Sequence, residues 1–388
     1  MRIVVDRNMP LAAEAFGTLG ETLVRDGRSL TNADVRDADV LAIRSTTRVN
    51  AELLEGSRVR FVGTATIGID HMDIAYLESK GIAWCFSPGC NANSVSEYVT
   101  AALLHLATKH GFSLEGKTMG VIGVGNVGSK VVQKARALGM KVLMNDPPRQ
   151  RQAQDDGIVS DFVNIDDLLA GSDIVTLHVP MEKGGMDPTF HLADAAFFDK
   201  LRKGSIFINA ARGAVVATDA LLASIRSGTL AHTVLDTWEG EPGGYRDDVL
   251  GLVDLATPHI AGHSFEGKVA GTEMVYRAAC KALALPATWT SDGLLPPPLV
   301  PEVQCRVGGR PCDVVLHEVV RQVYDIIADD ARMRARPAGK DKAAHFDGLR
   351  KNYPMRREFR FTRVQCPDAA NVLRNSLHDI GFYFCNRS

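Results

Sequence analysis

Two histidines lie four residues apart in TPHIAGHS (257–264), after a short apolar run. An imidazole exchanges its proton near neutral pH, so His259 or His263 could serve as an acid or a base. A lone histidine is more often structural, and the neighbouring motifs must supply a reason to expect more. INAARGAVV (208–216) places Arg212 between a predicted strand and a glycine, where its guanidinium could hold a carboxylate with two hydrogen bonds. A surface arginine in a loop would explain that segment equally well.

The segment LDTWEGEP (235–242) follows another predicted strand and is rich in acidic residues. Acidic loops are usually solvated, but a carboxylate beside an imidazole also orients the ring and favours its protonated form. Hydride transfer from a 2-hydroxy acid needs a base, a cation for the carboxylate and a group that holds the base. The three motifs offer all of these groups at strand ends, where α/β sheets bind ligands. The acids of this segment are Asp236, Glu239 and Glu241.

GVGNVG (123–128) has the glycine spacing of a dinucleotide-binding turn, between a predicted strand and a predicted helix. The first glycine allows the tight turn, the second lets the backbone approach a pyrophosphate, and the third permits close packing of helix on strand. The amino terminus of the helix offers free N–H groups to phosphate. The turn residues predicted to bind the cofactor are Gly123, Gly125, Asn126, Val127 and Gly128.

The next predicted strand ends at Asp146, where an acid accepts hydrogen bonds from ribose hydroxyls. A carboxylate there repels the 2′-phosphate of NADP, and the two prolines that follow supply no compensating cation. Arg149 and Arg151 lie close enough to leave NADP as an alternative. The turn, its flanking elements and this acid together predict dinucleotide binding and favour NAD.

Short apolar runs alternate with helix-like segments along most of the chain, which predicts parallel sheets with crossover helices. A long buried helix is expected from Ser94 or Ser96 to Gly111, because its apolar residues run nearly all round. It separates two series of strands, and the second suits a doubly wound Rossmann-type domain. The expected strands are 2–6, 40–45, 60–65 and 82–87, then 118–125, 141–146, 173–180, 205–211, 232–236 and 255–261.

Beyond Pro286 the composition changes, and the proline-rich SDGLLPPPLVPE (291–302) predicts a linker. One amphipathic helix is expected after it, with apolar residues at helical spacing from Leu316 to Ile327. We therefore predict three domains. The first is 1–93 plus 260–288, the second 94–259 and the third 289–388.

The composition excludes several classes of protein. The formal net charge of -2 argues against a nucleic-acid binder, and no apolar run approaches the roughly 18 residues of a membrane helix. The seven cysteines contain no CxxC pair, which indicates reduced thiols in a cytoplasmic protein. No metal site is expected, since His71 has no partner at zinc spacing and His105 and His110 are interpreted as core or capping residues.

Six motifs together resemble the D-2-hydroxyacid dehydrogenases over residues 1 to about 285. That resemblance implies a Rossmann NAD-binding domain and a smaller flavodoxin-like α/β substrate domain. VYDIIADD (323–330) and FDGLRKNYPMRREF (346–359) resemble a C-terminal α+β dimerisation domain that some members carry, which implies a homodimer. The six motifs are GTATIGIDHMD (63–73), PGCNANSVSEYV (88–99), GVGNVG, NAARGAVV, LDTWEGEP and TPHIAGH.

The resemblance also implies roles for individual residues. His259 would be the proton donor or acceptor, Glu241 its carboxylate partner and Arg212 the clamp on the substrate carboxylate. The substrate would be a small phosphorylated hydroxy acid. Further cofactor contacts are expected at Thr176, Ala210, Asp236 and Gly262, and substrate contacts at Arg44, Ser45, Thr66 and His263.

Position 263 departs from the pattern, because similar enzymes usually carry a tyrosine there. His263 could still bind the substrate, or it could only fill space. The cation that binds the phosphate could be any of several arginines near Ser45 or in the C-terminal segment. Two other functions also stay open: a phosphoglycerate dehydrogenase, or a regulator that binds NAD without catalysis. The candidate cations are Arg44, Arg48, Arg350, Arg356 and Arg357.

Overall fold

The protein folds into two compact units, as seen in a computed structural model that describes residues 1–384. The first unit joins Met1–Asn91 to His263–Pro297. The second joins Ala92–Gly262 to the chain from Pro298 onward. Most residues expected in a separate third domain thus share a unit with the predicted nucleotide-binding residues, while 289–297 belong to the first unit. The three-domain division stays a prediction.

The first unit contains a five-stranded parallel sheet with the order β2-β1-β3-β4-β5. This is the flavodoxin-like order, and it confirms the fold expected for this part of the chain. Its strands are β1 (Arg2–Asp6), β2 (Glu21–Arg25), β3 (Val40–Ile43), β4 (Phe61–Thr64) and β5 (Ala83–Cys85). Its helices are α1 (Ala12–Gly17), α2 (Asn32–Val35), α3 (Ala51–Leu54), α4 (Ile74–Ser79) and, numbered by chain order, α12 (Phe265–Ala282).

Strand β2 was not predicted from the sequence. It lies at the edge of the sheet, and its five residues are only partly buried or exposed. An edge strand needs no apolar face, so its pattern carries little signal. At the centre of the sheet the packing is tight: a Cβ added to Gly63 would lie 2.3 Å from Cγ1 of Val275 on α12.

The second unit contains a six-stranded parallel sheet with the order β7-β6-β8-β9-β10-β11. The chain leaves β6 in one direction for β7 and then returns to its other side for β8, so the turn after β6 lies at the switch point. The strands are β6 (Thr118–Ile122), β7 (Lys141–Asn145), β8 (Ile174–Leu177), β9 (Ser205–Asn209), β10 (Leu230–Leu235) and β11 (Leu255–Ala256). The helices up to residue 262 are α5 (Ala92–His110), α6 (Asn126–Ala137), α7 (Pro147–Asp155), α8 (Ile165–Gly171), α9 (Ala195–Asp199), α10 (Thr218–Arg226) and α11 (Asp247–Leu252).

All six strands expected here are confirmed, but the last is much shorter than predicted. The chain leaves the sheet after Ala256. Thr257 N still bonds to the Leu235 carbonyl of β10 (2.9 Å), but the amides of Ile260 and Ala261 bond to the Asp236 carboxylate instead of to a neighbouring strand. The long helix α5 is confirmed as buried on nearly every side. It packs against α6 and also against the C-terminal segment.

The C-terminal segment lies on the second unit and adds a two-stranded parallel sheet. The single amphipathic helix expected here is two helices, because the Asp325 side chain accepts a hydrogen bond from Ile327 N (3.1 Å) and starts a new one. No helix among residues 1–384 is both long and apolar enough to span a membrane. The elements are β12 (Glu302–Gln304), α13 (Cys312–Val323), α14 (Ile326–Arg334), α15 (Lys342–Lys351), β13 (Arg363–Gln365) and α16 (Asn371–Asp379).

A buried polar network joins this segment to α5. The Glu97 carboxylate accepts from Phe359 N (3.0 Å) and from Asn93 Nδ2 (2.9 Å), which also donates to Glu358 (2.9 Å). Burial and the nearby Glu358 charge raise the pKa of Glu97 to about 8. Buried polar groups must be matched by partners, so this network fixes one way for the segment to sit on α5.

Candidate active site

The glycine turn after β6 has the shape that a pyrophosphate needs. Gly123 has φ of +82°, and a Cβ there would lie 2.8 Å from the His178 carbonyl. A Cβ on Gly128 would lie 2.0 Å from the carbonyl oxygen of Gly123, so only glycine allows α6 to pack this close. Gly125, in contrast, is exposed and has open space above it. Asn126 begins α6 and is exposed as well, and its helix amino terminus faces outward for an anion.

Asp146 stands at the end of β7, beside the glycine turn. Its Oδ2 accepts from Val124 N (2.8 Å) and its Oδ1 from Arg149 N (3.1 Å), which fixes the carboxylate at the start of α7. A carboxylate has about four acceptor positions, so two are left for the hydroxyls of a ribose. The glycine turn and Asp146 therefore fit a nicotinamide adenine dinucleotide.

Both arginines that could have bound the 2′-phosphate of NADP are hydrogen-bonded to other groups of the protein. Arg149 donates to the Val124 carbonyl oxygen, and Arg151 pairs with Asp187, with Nη1 at 3.1 Å from Oδ1. Neither guanidinium is therefore held ready for a 2′-phosphate. This arrangement favours NAD.

The other predicted cofactor residues of this unit lie at strand ends. Thr176 is buried in β8, and its hydroxyl is 3.0 Å from Nε2 of His178, whose pKa burial lowers to about 3. Ala210 follows β9 and is half-buried, as is Gly262 at the end of the His259 loop. Val127 in α6 is half-buried against the core. Whether each contacts the cofactor stays a prediction.

The three acids that follow β10 have three different partners. Asp236 accepts from the loop that carries His259, and its role is described below. Glu239 accepts from the Thr218 amide (3.1 Å) at the start of α10 and lies 2.5 Å from Nε2 of His191. Glu241 pairs with His259. Of the two glutamates, the one predicted from the sequence is therefore the one beside His259.

The His259–Glu241 pair is held in a defined orientation. Nδ1 of His259 is hydrogen-bonded to Oε1 of Glu241, and Oε2 accepts from Trp238 N (3.0 Å). Burial raises the pKa of the Glu241 carboxyl, but His259, the Trp238 amide and the Arg350 guanidinium outweigh it and lower the pKa overall. Glu241 is thus a carboxylate at neutral pH and can only accept a hydrogen bond. Nδ1 of His259 therefore carries a proton and donates it to this bond, while Nε2 is left for chemistry.

Asp236 positions the loop that carries His259. Its Oδ1 accepts from the Thr257 hydroxyl (2.6 Å) and from Ile260 N (2.8 Å), and its Oδ2 accepts from Ala261 N (2.9 Å). The carboxylate is 1% exposed. His259 between these anchors has φ of +55°, a left-handed conformation that a non-glycine residue adopts only when its surroundings hold it.

The cofactor contact predicted for Asp236 stays a prediction, and the structure shows that its carboxylate also holds this loop. Tyr98 on α5 adds a hydrogen bond to the Thr257 hydroxyl (2.7 Å), and Trp238 Nε1 donates to the Thr257 carbonyl (2.8 Å). Neither residue was singled out from the sequence. The only available signal was the LDTW run itself.

Arg212 lies in a loop that packs directly on the backbone of the Glu241 segment. A Cβ on Gly213 would lie 2.0 Å from the carbonyl oxygen of Trp238, so glycine is required for this approach. Asn209 at the end of β9 orders the loop, donating to the Arg212 carbonyl (3.0 Å) and accepting from Ala211 N (3.1 Å). Arg212, Glu241 and His259, far apart in sequence, thus lie on adjoining loops at the carboxyl end of one sheet.

The C-terminal helix α15 covers the segment after Glu241. Its Ala343, Phe346 and Arg350 share one face. A Cβ on Gly243 would lie 3.2 Å from Cβ of Ala343, and the Phe346 ring is 5.9 Å from that of Tyr245. Nε of Arg350 is buried and has no hydrogen-bond partner among residues 1–384.

The other two C-terminal candidates for phosphate binding are committed to the fold. Arg356 is buried, donates to the Ser94 carbonyl (2.8 Å) and the Ala261 carbonyl (2.7 Å), and stacks 4.3 Å over the Tyr324 ring. Arg357 is also buried, 4.6 Å over the ring of Phe361. Arg356 therefore ties the C-terminal segment to the end of the His259 loop.

The predicted substrate residues of the first unit surround the ends of β3 and β4. Ser45 is exposed, and Arg44 beside it donates to the Asn8 carbonyl (3.5 Å). The Thr66 hydroxyl bonds to the Thr64 hydroxyl (2.8 Å), which lies 3.0 Å from Nε2 of His71. Burial lowers the pKa of His71 to about 4, as a structural histidine requires. His263 is half-buried in this unit, and its substrate contact, like the other three, stays a prediction.

Comparison with known protein families gives two matches along the chain. The family described as D-isomer specific 2-hydroxyacid dehydrogenase, NAD binding domain, matches residues 92–261. A domain of unknown function, DUF3410, matches residues 294–381. The first match coincides with the part of the chain that carries the glycine turn and the Arg212, Glu241 and His259 loops.

Curated relatives are similar over almost the whole chain. Erythronate-4-phosphate dehydrogenase of Salinibacter ruber is 46% identical over 368 residues and covers 92% of each chain. The protein of the same name from Edwardsiella ictaluri is 46% identical over 372 residues, 96% of each chain. Among solved structures, D-lactate dehydrogenase from Aquifex aeolicus, complexed with NAD and lactic acid, is 26% identical with a TM-score of 0.58. That match covers 73% of this chain and 95% of the other.

Proposed function

Because the chain belongs to the family of D-isomer-specific 2-hydroxyacid dehydrogenases, we propose that it oxidises 4-phospho-D-erythronate with NAD. The product is 2-oxo-3-hydroxy-4-phosphobutanoate, an intermediate of pyridoxine biosynthesis. The observation that carries the proposal is the oriented His259–Glu241 pair on a loop next to that of Arg212. The names of the relatives support this choice of substrate.

In this proposal His259 is the base. Its Nδ1 proton is held by Glu241, so the lone pair of Nε2 is available to take the proton from the C2 hydroxyl. NAD, held by the glycine turn and Asp146, would supply the hydride acceptor for C2. In the reverse direction the imidazolium returns its proton to the oxygen, and the ionised Glu241 stabilises that charge. Arg212 holds the substrate carboxylate with a two-pronged hydrogen bond.

Arg350 is proposed as a positioning residue that acts through Glu241. Its helix face packs on the segment after Glu241, and its charge favours the ionised carboxylate. Since Arg356 and Arg357 are buried in other contacts, we propose neither of these two candidates for the phosphate. The phosphate contact is proposed for Arg44, with Ser45, Thr66 and His263 as further substrate contacts.

The cofactor is proposed to bind along the turn from Gly123 to Gly128, with its adenosine ribose on Asp146. Asn126 and Val127 would supply amides to the pyrophosphate, and Thr176, Ala210, Asp236 and Gly262 would line its path at the strand ends. The homodimer implied by the C-terminal segment is a separate proposal. Sedimentation equilibrium of the full chain tests it, with the mass of two chains as the expected result.

A substrate panel tests the proposed activity. Purified protein is given 4-phosphoerythronate, 3-phosphoglycerate, glycerate or lactate, each with NAD and with NADP, while absorbance of the reduced cofactor is followed. The expected result is the highest kcat/KM for 4-phosphoerythronate with NAD. A higher kcat/KM for 3-phosphoglycerate would make the protein a phosphoglycerate dehydrogenase. Binding of NAD with no reduction in any arm would favour a non-catalytic regulator.

A further inference from the structure

Two histidines and an aspartate converge at the opposite end of the second sheet from His259. His110 ends α5, His232 lies near the start of β10, and Asp254 directly precedes β11. Nε2 of His110 and Nδ1 of His232 each lie 3.1 Å from the same oxygen, Oδ1 of Asp254. The two imidazole rings stack with centroids 3.8 Å apart. None of these residues takes part in the proposed dehydrogenase reaction.

The spacing of the three ligand atoms suits a tetrahedral metal ion. Zinc binds imidazole nitrogen and carboxylate oxygen at about 2.0–2.2 Å, so two such ligands lie about 3.3 Å apart across a tetrahedral edge. The two nitrogen–oxygen distances of 3.1 Å are within a few tenths of an ångström of that edge, and all three atoms lie within 4.8 Å of one another. An ion could therefore bind with side-chain adjustments alone.

The surrounding residues hold the carboxylate in place. Oδ2 of Asp254 accepts from Thr233 N (3.0 Å), and Asp254 N donates to the Thr233 carbonyl (2.9 Å). A ligating carboxylate is commonly fixed in this way by its second oxygen. The backbone thus points Oδ1 at the two imidazoles before any ion arrives.

The three side chains are partly accessible to solvent, as the entry of a metal ion requires. The side chains of His110, His232 and Asp254 are 28%, 20% and 15% exposed, which leaves one side open for water as a fourth ligand. Two imidazoles and one carboxylate favour zinc or a similar transition metal over calcium or magnesium.

We propose that His110, His232 and Asp254 form a binding site for a divalent transition metal of the zinc type. The site joins α5 to the β10–β11 pair, whose other end carries the Asp236 and His259 loop. Its role is structural, because it lies at the amino end of the strands, away from the catalytic loops. Binding would stabilise the folded second unit in proportion to the free metal concentration.

Calorimetric titration of the full chain with zinc tests the proposal, after removal of metals by a chelator. We expect one equivalent bound with a Kd of about 10 μM or tighter, which corresponds to roughly 7 kcal/mol or more. Cobalt in place of zinc should give the visible spectrum of a tetrahedral nitrogen–oxygen site, without the thiolate band that cysteine ligation would produce. The melting temperature should rise with zinc.

Matched variants separate a metal site from a hydrogen-bonded cluster. His110→Gln and His232→Gln should each weaken zinc binding at least tenfold and abolish the cobalt spectrum, while near-UV circular dichroism shows that the fold is kept. His105→Gln is the control, because the His105 ring packs against that of His317, with centroids 5.7 Å apart, in the same unit and outside the three-ligand cluster. Equal zinc affinity in all three variants, or no zinc binding by the unmodified chain, would overturn the proposal.

Discussion

Glu239 and Glu241 both follow β10, and each is paired with a histidine in different surroundings. Glu241 is paired with His259 and Glu239 with His191. Both histidines have left-handed backbones, with φ of +55° and +54°. Both are also similarly exposed, 30% for the His259 side chain and 36% for that of His191. The pair itself, therefore, does not distinguish a catalytic residue from a structural one.

The difference lies in what the second carboxylate oxygen and the ring do. Oε2 of Glu239 accepts from the amide and hydroxyl of Thr218, so this glutamate caps α10, and it binds the Nε2 edge of its histidine. Glu241 instead binds the Nδ1 edge of His259 and leaves Nε2 available. The two pairs thus differ in which ring nitrogen the glutamate binds, and we infer from this that His259 is the better candidate for an acid–base role.

Replacing each histidine in turn is the strongest test of this difference between the two pairs. His259→Ala should lower kcat about 10²- to 10⁴-fold, since the base for the hydroxyl proton is lost, with little change in NAD affinity. His191→Ala should lower kcat less than about threefold. Steady-state kinetics with 4-phosphoerythronate measures both. Comparable losses in the two variants would contradict the assignment of His259.

Removing the anchor of the His259 loop should have the next largest effect, because the Asp236 carboxylate accepts three hydrogen bonds from that loop. Asp236→Asn places an amide group where three donors converge, and it should cost about 1–3 kcal/mol of unfolding free energy. A misplaced His259 should also lower kcat about 10- to 100-fold. Chemical denaturation and kinetics give the two numbers.

Asp194→Asn is the matched control for that variant. Asp194 accepts from Phe197 N (2.9 Å) and caps α9, so its loss should cost about 1 kcal/mol or less without changing kcat. If Asp236→Asn lost stability but kept full kcat, the loop would not need its anchor. A selective loss of NAD affinity would instead support the cofactor contact predicted for Asp236.

Much of this architecture could be predicted from the sequence because its signals are local. Strand–helix alternation and the GVGNVG turn predicted the doubly wound sheet, and the apolar run of α5 predicted its burial. The resemblance selected Glu241 over Glu239, which spacing alone could not do. The edge strand β2 was missed because it has no apolar face.

The contacts that complete the site could not be predicted because they join distant residues. In the sequence Gly213 looks like an ordinary loop glycine. The structure shows that a Cβ at this position would lie 2.0 Å from the Trp238 carbonyl oxygen. Asp254 and His110 are 144 residues apart, so the short ligand spacings that identify zinc sites in a sequence do not include this pair. Arg350 reaches the neighbourhood of Glu241 only because α15 packs on the segment from Gly243 to Tyr245.

The smallest predicted effect concerns the charge of Arg350 beside the Glu241–His259 pair. Arg350 lowers the pKa of Glu241, so the carboxylate contributes its stabilising charge above its unfolded pKa and loses it as pH falls through the folded value. Arg350→Gln should raise the pKa of Glu241, and the acid limb of the kcat/KM profile should move to higher pH by about half a unit. Kinetics at a series of pH values measures the shift.

Two variants decide whether that shift comes from the charge of Arg350. Arg350→Lys keeps the charge and should restore most of the profile, whereas a purely structural role would leave both variants equally altered. Lys351→Gln, one residue further on the exposed side of α15, removes the same charge and should leave the profile in place. An equal shift from Lys351→Gln would mean that the overall charge of the helix, and not the face that packs beside Glu241, sets the ionisation of the catalytic pair.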